Sequence, residues 1–224
     1  MKRSKTFVSI LTVCAALVMV PLPAITQANN TGNAADQNNP DTWSPQLSAN
    51  IVKQVRKKLL SLADYSVFDS LRFAIKGKTI ILEGYASRPV LKTDAANAVK
   101  GIEGVESVDN QIKVLPPSPN DDRIRVQVYR RIYSQPTLRK YTSAPPGFGR
   151  EPSVALAAGG ITQDPPLGYH AIHIIVDNGN VILTGVVDSQ ADADVASIQA
   201  NSTPGVFSVD NDLRIAGGGK QGSK

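Results

Sequence analysis

Cysteine is almost missing from this chain: its 224 residues contain one, Cys14. That residue lies inside an N-terminal apolar run, so disulfides are excluded as a source of stability and the folded part must close its own cores. Histidine is nearly as scarce, with only His170 and His173. The two stand three apart on a strand-like run and so point to opposite faces, and a metal would need carboxylates brought from elsewhere. No metal and no cofactor is expected. A P-loop and a complete dinucleotide-binding glycine pattern are both absent, and Gly147-Phe148-Gly149 reads as a loop. Serines are plentiful, but none sits in a nucleophile elbow. No catalytic residue is assigned, and the chain is read as a non-enzyme.

A large net charge is lacking too. The formal value is +5, and Lys2, Arg3 and Lys5 supply three of those charges. The remaining +2 or so is far short of the basic excess that general nucleic-acid binding requires, so no nucleic-acid partner is expected. The longest apolar run, Phe7 to Val20, is too short for a comfortable membrane span and ends at Pro21 and Pro23. Between a basic start and the small residues Thr26 and Ala28, it reads as the core of a signal peptide, residues 1–28, cleaved on export. The mature chain is then left without a transmembrane span. Leu11-Thr12-Val13-Cys14 has the outline of a lipid-attachment motif, but Val13 is bulky and the apolar run continues beyond the cysteine.

What the chain does contain is one stretch twice. Gly104-Val105-Glu106-Ser107-Val108-Asp109-Asn110 returns 101 residues later as Gly205-Val206-Phe207-Ser208-Val209-Asp210-Asn211. The same spacing relates Ile81-Leu82-x-Gly84 to Ile182-Leu183-x-Gly185. From Ile80 to Val114 the register runs without a gap for 35 positions, 10 of them identical. Self-similarity of that length marks a duplicated unit, whose copies should superpose strand for strand with Val108 on Val209.

Residues 29–44 are polar and aperiodic, a flexible leader. Ser44-Pro45 opens a helix with Ile51, Val55, Leu59 and Leu62 on one face and Lys53, Arg56 and Lys57 on the other. Leu71, Phe73 and Ile75 alternate as a half-buried strand, and Gly77-Lys78 turns it into a second strand, Thr79 to Gly84. A helix starting at Ser87-Arg88-Pro89 is expected to end at Gly104, and Val108 to Val114 forms a third strand. Pro116-Pro117-Ser118-Pro119 reads as a stiff linker. The second unit should begin at Asp121 or Asp122 as a cap. Its Ile124, Val128 and Ile132 repeat Ile51, Val55 and Leu59 at a spacing of 73, so 28 extra residues lie between Tyr133 and His170. Ala171–Val176 and Val181–Gly185 make a hairpin around Asn178-Gly179. Ser189-Gln190-Ala191-Asp192 has capping-box form, Val206 to Ile215 is the last strand, and 216–224 is a flexible tail.

The fold class is therefore α+β: two tandem α-β-β-α-β units, each a small three-stranded sheet packed against two helices. They span residues 45–115 and 120–215, with the insert at about 134–168. Gly104 and Gly205 read as positive-φ positions that stop a helix, and Asn110 and Asn211 as amides tying a neighbouring loop. A chain ending at Pro117 should fold alone, though less stably than the whole.

Charge is uneven between the units. Residues 46–114 hold 11 Lys/Arg against 7 Asp/Glu, and residues 120–215 hold 8 against 10. Yet the opening helix of the second unit carries four arginines. If Ile124, Val128 and Ile132 face the core, a 100° step puts Arg123, Val126, Tyr129, Arg130 and Tyr133 outside. Arginines among amphipathic aromatics suit a lipid headgroup layer or a protein partner, so these five are the candidate lipid- or partner-binding residues. The alternative is that the insert folds back and buries them. The apolar stretch Ser153 to Ile161 within it would cover its own sheet, meet the other unit, or touch a membrane.

A signal peptide followed by two such units, each with Leu-x-Gly at a strand end and Gly-Val-x-x-Val-x-Asn, resembles the BON family. The likeness covers roughly residues 46–115 and 120–215. It implies a periplasmic, non-catalytic protein of the bacterial envelope that binds partners or anionic phospholipid, in envelope integrity or osmotic stress. The alternative is a protein–protein interaction or scaffold module that binds no lipid. The family has no universal ligand residues, so no site carries over by motif, and the insert departs from its pattern.

Overall fold

The computed structural model of this protein describes residues 42–143, 165–166 and 168–217. The expected signal peptide, nearly all of the leader and tail, and Ser153 to Ile161 lie outside the described residues. The first unit runs α1 (Pro45–Leu60), β1 (Ser70–Lys76), β2 (Thr79–Ala86), α2 (Pro89–Lys100), β3 (Ser107–Asn110) and β4 (Lys113–Val114). The second runs α3 (Pro119–Ser134), a short 3-10 turn (Arg139–Tyr141), β5 (Ile172–Asp177), β6 (Asn180–Val187), α4 (Gln190–Asn201) and β7 (Ser208–Ile215). In each sheet the hairpin is antiparallel and the last strand lies parallel to its second strand. β3 and β4 are one such strand, interrupted at Gln111-Ile112, since both pair with β2. The architecture is α+β, with two units of the same element order.

The duplication survives in detail. Shifting β2 and α2 by 101 residues lands end to end on β6 and α4. Val108 pairs with Ile80 as Val209 pairs with Val181. The recurring asparagines make the same bonds: Asn110 Nδ2 donates to the Lys92 carbonyl (2.8 Å), and Asn211 Nδ2 to the Ala193 carbonyl (3.1 Å). They tie the last strand to the helix above it, not to a loop. The glycine of Leu-x-Gly has a steric cause. Gly84 has φ +115° and Gly185 φ +130°, and a Cβ would stand 1.9 Å from the carbonyl oxygen of Ser70 or Ala171. No side chain fits so close to the neighbouring strand.

Several boundaries differ from expectation. α2 and α4 end at Lys100 and Asn201, so Gly104 and Gly205, at φ +92° and +89°, turn the chain toward its last strand and do not stop the helix. α3 is capped by Ser118, whose Oγ accepts from Asp121 N (3.2 Å), with Pro119 already inside the helix. The expected linker is thus shorter by a residue. Neither Asp121 nor Asp122 caps, because Asp121 is recruited for tertiary bonds and Asp122 for an ion pair one turn along the helix. Asp121 accepts from the backbone of Asn178 and Gly179 at the β5–β6 turn (3.0 and 2.9 Å), and Asp122 pairs with Arg125 (2.6 Å). Ser189 does cap α4, but Asp192 serves Tyr141 Oη (2.7 Å) and Lys140 Nζ (3.0 Å) instead of closing the capping box.

Each unit buries the helix face expected of it: Ile51, Val55 and Leu59 in α1, and Ile124, Val128 and Ile132 in α3. The first unit closes its own core with Ile80, Leu82, Leu91 and Val99. The second does not. Its core also takes in Val67 and Phe68, which belong to the α1–β1 connection of the first unit. Ile174 N, on the outer edge of β5, donates to the Val67 carbonyl (2.8 Å). Thr184 Oγ1 donates to Ser70 Oγ (3.1 Å), and Lys113 Nζ meets Asp177 Oδ2 (2.6 Å).

Candidate functional site

The α3 face expected to meet a ligand is turned inward. Val126, Tyr129 and Tyr133 are 2%, 1% and 0% exposed, while Arg123 stays on the surface and Arg130 is half-buried. The near ends of the insert cover that face, as the alternative reading had it. Tyr133 Oη donates to the Ile172 carbonyl (2.6 Å), and Leu138 and Tyr141 pack into the same core. In α1 the positions 73 residues earlier are Lys53, Arg56 and Leu60, all exposed. The tyrosines of α3 thus mark where the second unit has gained a cover that the first lacks.

The two histidines do point apart, and each sits against a tyrosine. His170, just before β5, has Nδ1 3.0 Å from the Gly168 carbonyl and Nε2 3.3 Å from Tyr129 Oη. His173, on β5, has Nδ1 3.2 Å from the Ser66 carbonyl and Nε2 3.4 Å from Tyr65 Oη. A carbonyl only accepts, so Nδ1 carries the proton in both and Nε2 accepts from the phenol. Burial pushes Tyr65 up to about 12, which keeps it a donor. Burial also lowers His170 to about 4 and lowers His173 from the ordinary 6.5.

These shifts set a pH dependence. A histidine whose folded pKa is depressed binds its proton more readily unfolded, so stability is whole above pH 6.5 and is lost as pH falls toward the folded value. Between pH 7 and 5 His170 alone should remove about 2 kcal/mol, at roughly 1.4 kcal/mol per pKa unit, with His173 adding in the same sense. Urea midpoints at the two pH values measure this, and His170→Gln should flatten the slope. A midpoint independent of pH over that range contradicts the neutral, buried assignment.

His173 and Tyr65 also lie at the wall of a cleft between the units. One chamber of it, about 510 Å³, is lined by Arg56 of α1, Arg72 of β1 and Arg214 of β7. Leu60, Leu71, Phe73 and Val186 supply the apolar part of the wall. An adjoining chamber of about 660 Å³ shares the three arginines and reaches His170, Thr184 and Asp212, and a third reaches Pro165 and Pro166 at the end of the insert. Periodicity placed Arg56 on the outer face of its helix, but nothing in the sequence brought β1 and β7 to one cavity. The missed signal was the Val67-Phe68 pair, apolar residues in the α1–β1 connection that pack into the core of the second unit.

Among the described residues, no group of three or more His, Cys, Asp or Glu could hold a metal ion, and no helix is long and apolar enough to cross a membrane.

Two units of this order, with the glycine and asparagine positions explained, define the fold of a BON domain. The model of that domain matches residues 48–116 and 159–217, and the chain belongs to the BON family. It is similar to osmotically-inducible protein Y of Escherichia coli strain K12, 23% identical over 205 residues, or 85% of this chain and 91% of that one. Two solved structures of CdsD, a structural protein of the type III secretion system of Chlamydia trachomatis, also match. They share 14% and 13% identity, cover 75% of this chain and 92% and 98% of their own, with TM-scores of 0.24 and 0.25. Likeness that low carries no argument about function.

Proposed function

We propose that this is a non-catalytic periplasmic protein that associates with the cell envelope through anionic phospholipid and acts in the response to osmotic stress. The name of the relative, osmotically-inducible protein Y, supports the link to osmotic stress. The observation that carries the lipid contact is the outer face of α1. Lys53 and Lys57 are exposed there, neither in an ion pair among the described residues, and Leu60 beside them is 61% exposed. Each cation near an anionic bilayer is worth roughly 1 kcal/mol, screened by salt, and an inserted leucine adds a part that salt does not screen. Of the five α3 residues, Arg123 offers a second surface cation, whereas Val126, Tyr129 and Tyr133 reach a ligand only if the unit opens.

Flotation with vesicles of graded phosphatidylglycerol content tests the reading. Lys53→Glu with Lys57→Glu should weaken binding at least tenfold at low salt and much less at high salt. Leu60→Ser should weaken it at both. Should the charge-reversed protein float as well as wild type, α1 is not the membrane contact, and a protein partner of the envelope becomes the better reading.

A further inference from the structure

We infer that the cleft between the units is a binding site for a monomeric anionic amphiphile, an acyl chain ending in a carboxylate or phosphate. This goes beyond surface association with a bilayer, because it assigns a discrete ligand to a cavity.

The charge pattern is the first ground. Arg56, Arg72 and Arg214 come from three elements and two units, line one chamber, and make no ion pair among the described residues. Glu83 is the cross-strand neighbour of Arg72, yet no carboxylate oxygen comes within ion-pair distance. One acid, Asp212, lines the adjoining chamber together with the same three arginines and pairs with none of them, so three cations face a single carboxylate. Three cations around one cavity repel each other, and an oxyanion among them removes that repulsion while accepting paired N–H bonds.

The second ground is the rest of the wall. Leu60, Leu71, Phe73 and Val186 are apolar side chains left partly open to solvent in the same chamber. A bare phosphate would leave them wet, and a neutral chain would leave the arginines unmatched. A molecule with both parts satisfies both. The chamber volume of about 510 Å³ falls within the roughly 300–1,000 Å³ usual for small-molecule sites. The chamber is also fixed in shape, since the Ser70–Thr184 and Val67–Ile174 hydrogen bonds lock the units beside it.

The test follows the methyl resonances of Leu60, Leu71 and Val186 in the full-length protein, with each probe below its micelle concentration. Dodecanoate and dodecyl phosphate should shift these signals saturably, and inorganic phosphate and dodecyl maltoside should not. Arg72→Gln with Arg214→Gln should weaken dodecanoate at least tenfold without moving the thermal midpoint. Val186→Glu, at an exposed position, is a second variant that should do the same. Lys53→Glu with Lys57→Glu should leave dodecanoate binding unchanged while weakening vesicle flotation, so the two readings fail separately. Equal binding of maltoside would reveal mere apolar adhesion, and equal binding of phosphate an anion site with no chain. Either result overturns the proposal, as does full binding by the arginine variants.

Discussion

Phe68→Ala should cost about 3–5 kcal/mol of stability, the range for removing a fully buried aromatic ring. The loss should fall on the second unit although the residue belongs to the first. Phe68 is 0% exposed and sits in the core of α3, β5, β6 and α4. Val67 beside it is 2% exposed and holds the outer edge of β5 through the Ile174 bond. The duplicated units are therefore not equivalent in autonomy. A chain ending at Pro117 retains a complete core around Ile51, Val55, Leu82 and Leu91, and it should fold while baring Phe68. A chain starting at Pro116 lacks the plug and should unfold far more easily than the whole. Urea titrations followed by NMR would separate the two, with β5–β7 signals in Phe68→Ala lost before those of β1 and β2. A midpoint within about 1 kcal/mol of wild type would mean that the plug is dispensable.

Why some features were legible and others were not follows from the range of the interactions. Helix faces, the hairpins and the Asn178-Gly179 turn are set by residues within a few positions of one another, so periodicity and turn chemistry expose them. Asn178 and Gly179 do adopt φ of 53° and 80°, as that turn requires. The duplication carried further, because a matched register in sequence becomes a matched register of strands. The α3 N-terminus differs because Asp121, well suited to capping, is committed to bonds 57 and 58 residues away, while Asp122 pairs with Arg125 one turn on. Local preference proposes such a cap, and a tertiary donor takes it. The cleft lay beyond reach for the same reason. Arg56, Arg72 and Arg214 meet only because the two sheets dock, and no pattern within one unit encodes that docking. The outer face of α3 was the instructive miss. A 100° step locates the side opposite the core of a lone unit, but it cannot say whether an insert will cover that side.

Tyr133→Ala and Tyr129→Ser should accordingly destabilise the second unit by about 3–5 kcal/mol each, where a lipid-facing helix would have tolerated both. Each ring is almost wholly buried, and their centroids lie 5.0 Å apart with His170 edge-on to both. Losing Tyr133 also leaves the Ile172 carbonyl without its 2.6 Å donor, so Tyr133→Phe, which keeps the ring, should still cost about 1–2 kcal/mol. Losing Tyr129 removes the phenol facing Nε2 of His170. Arg123→Glu, on the exposed side of the same helix, should change stability by no more than about 0.5 kcal/mol. Urea denaturation of the four variants alongside vesicle flotation separates folding from binding. Tyr129→Ser that keeps its urea midpoint but loses flotation would restore the tyrosines to a membrane surface. A shifted midpoint with normal flotation below the transition leaves them as core residues and α1 as the contact.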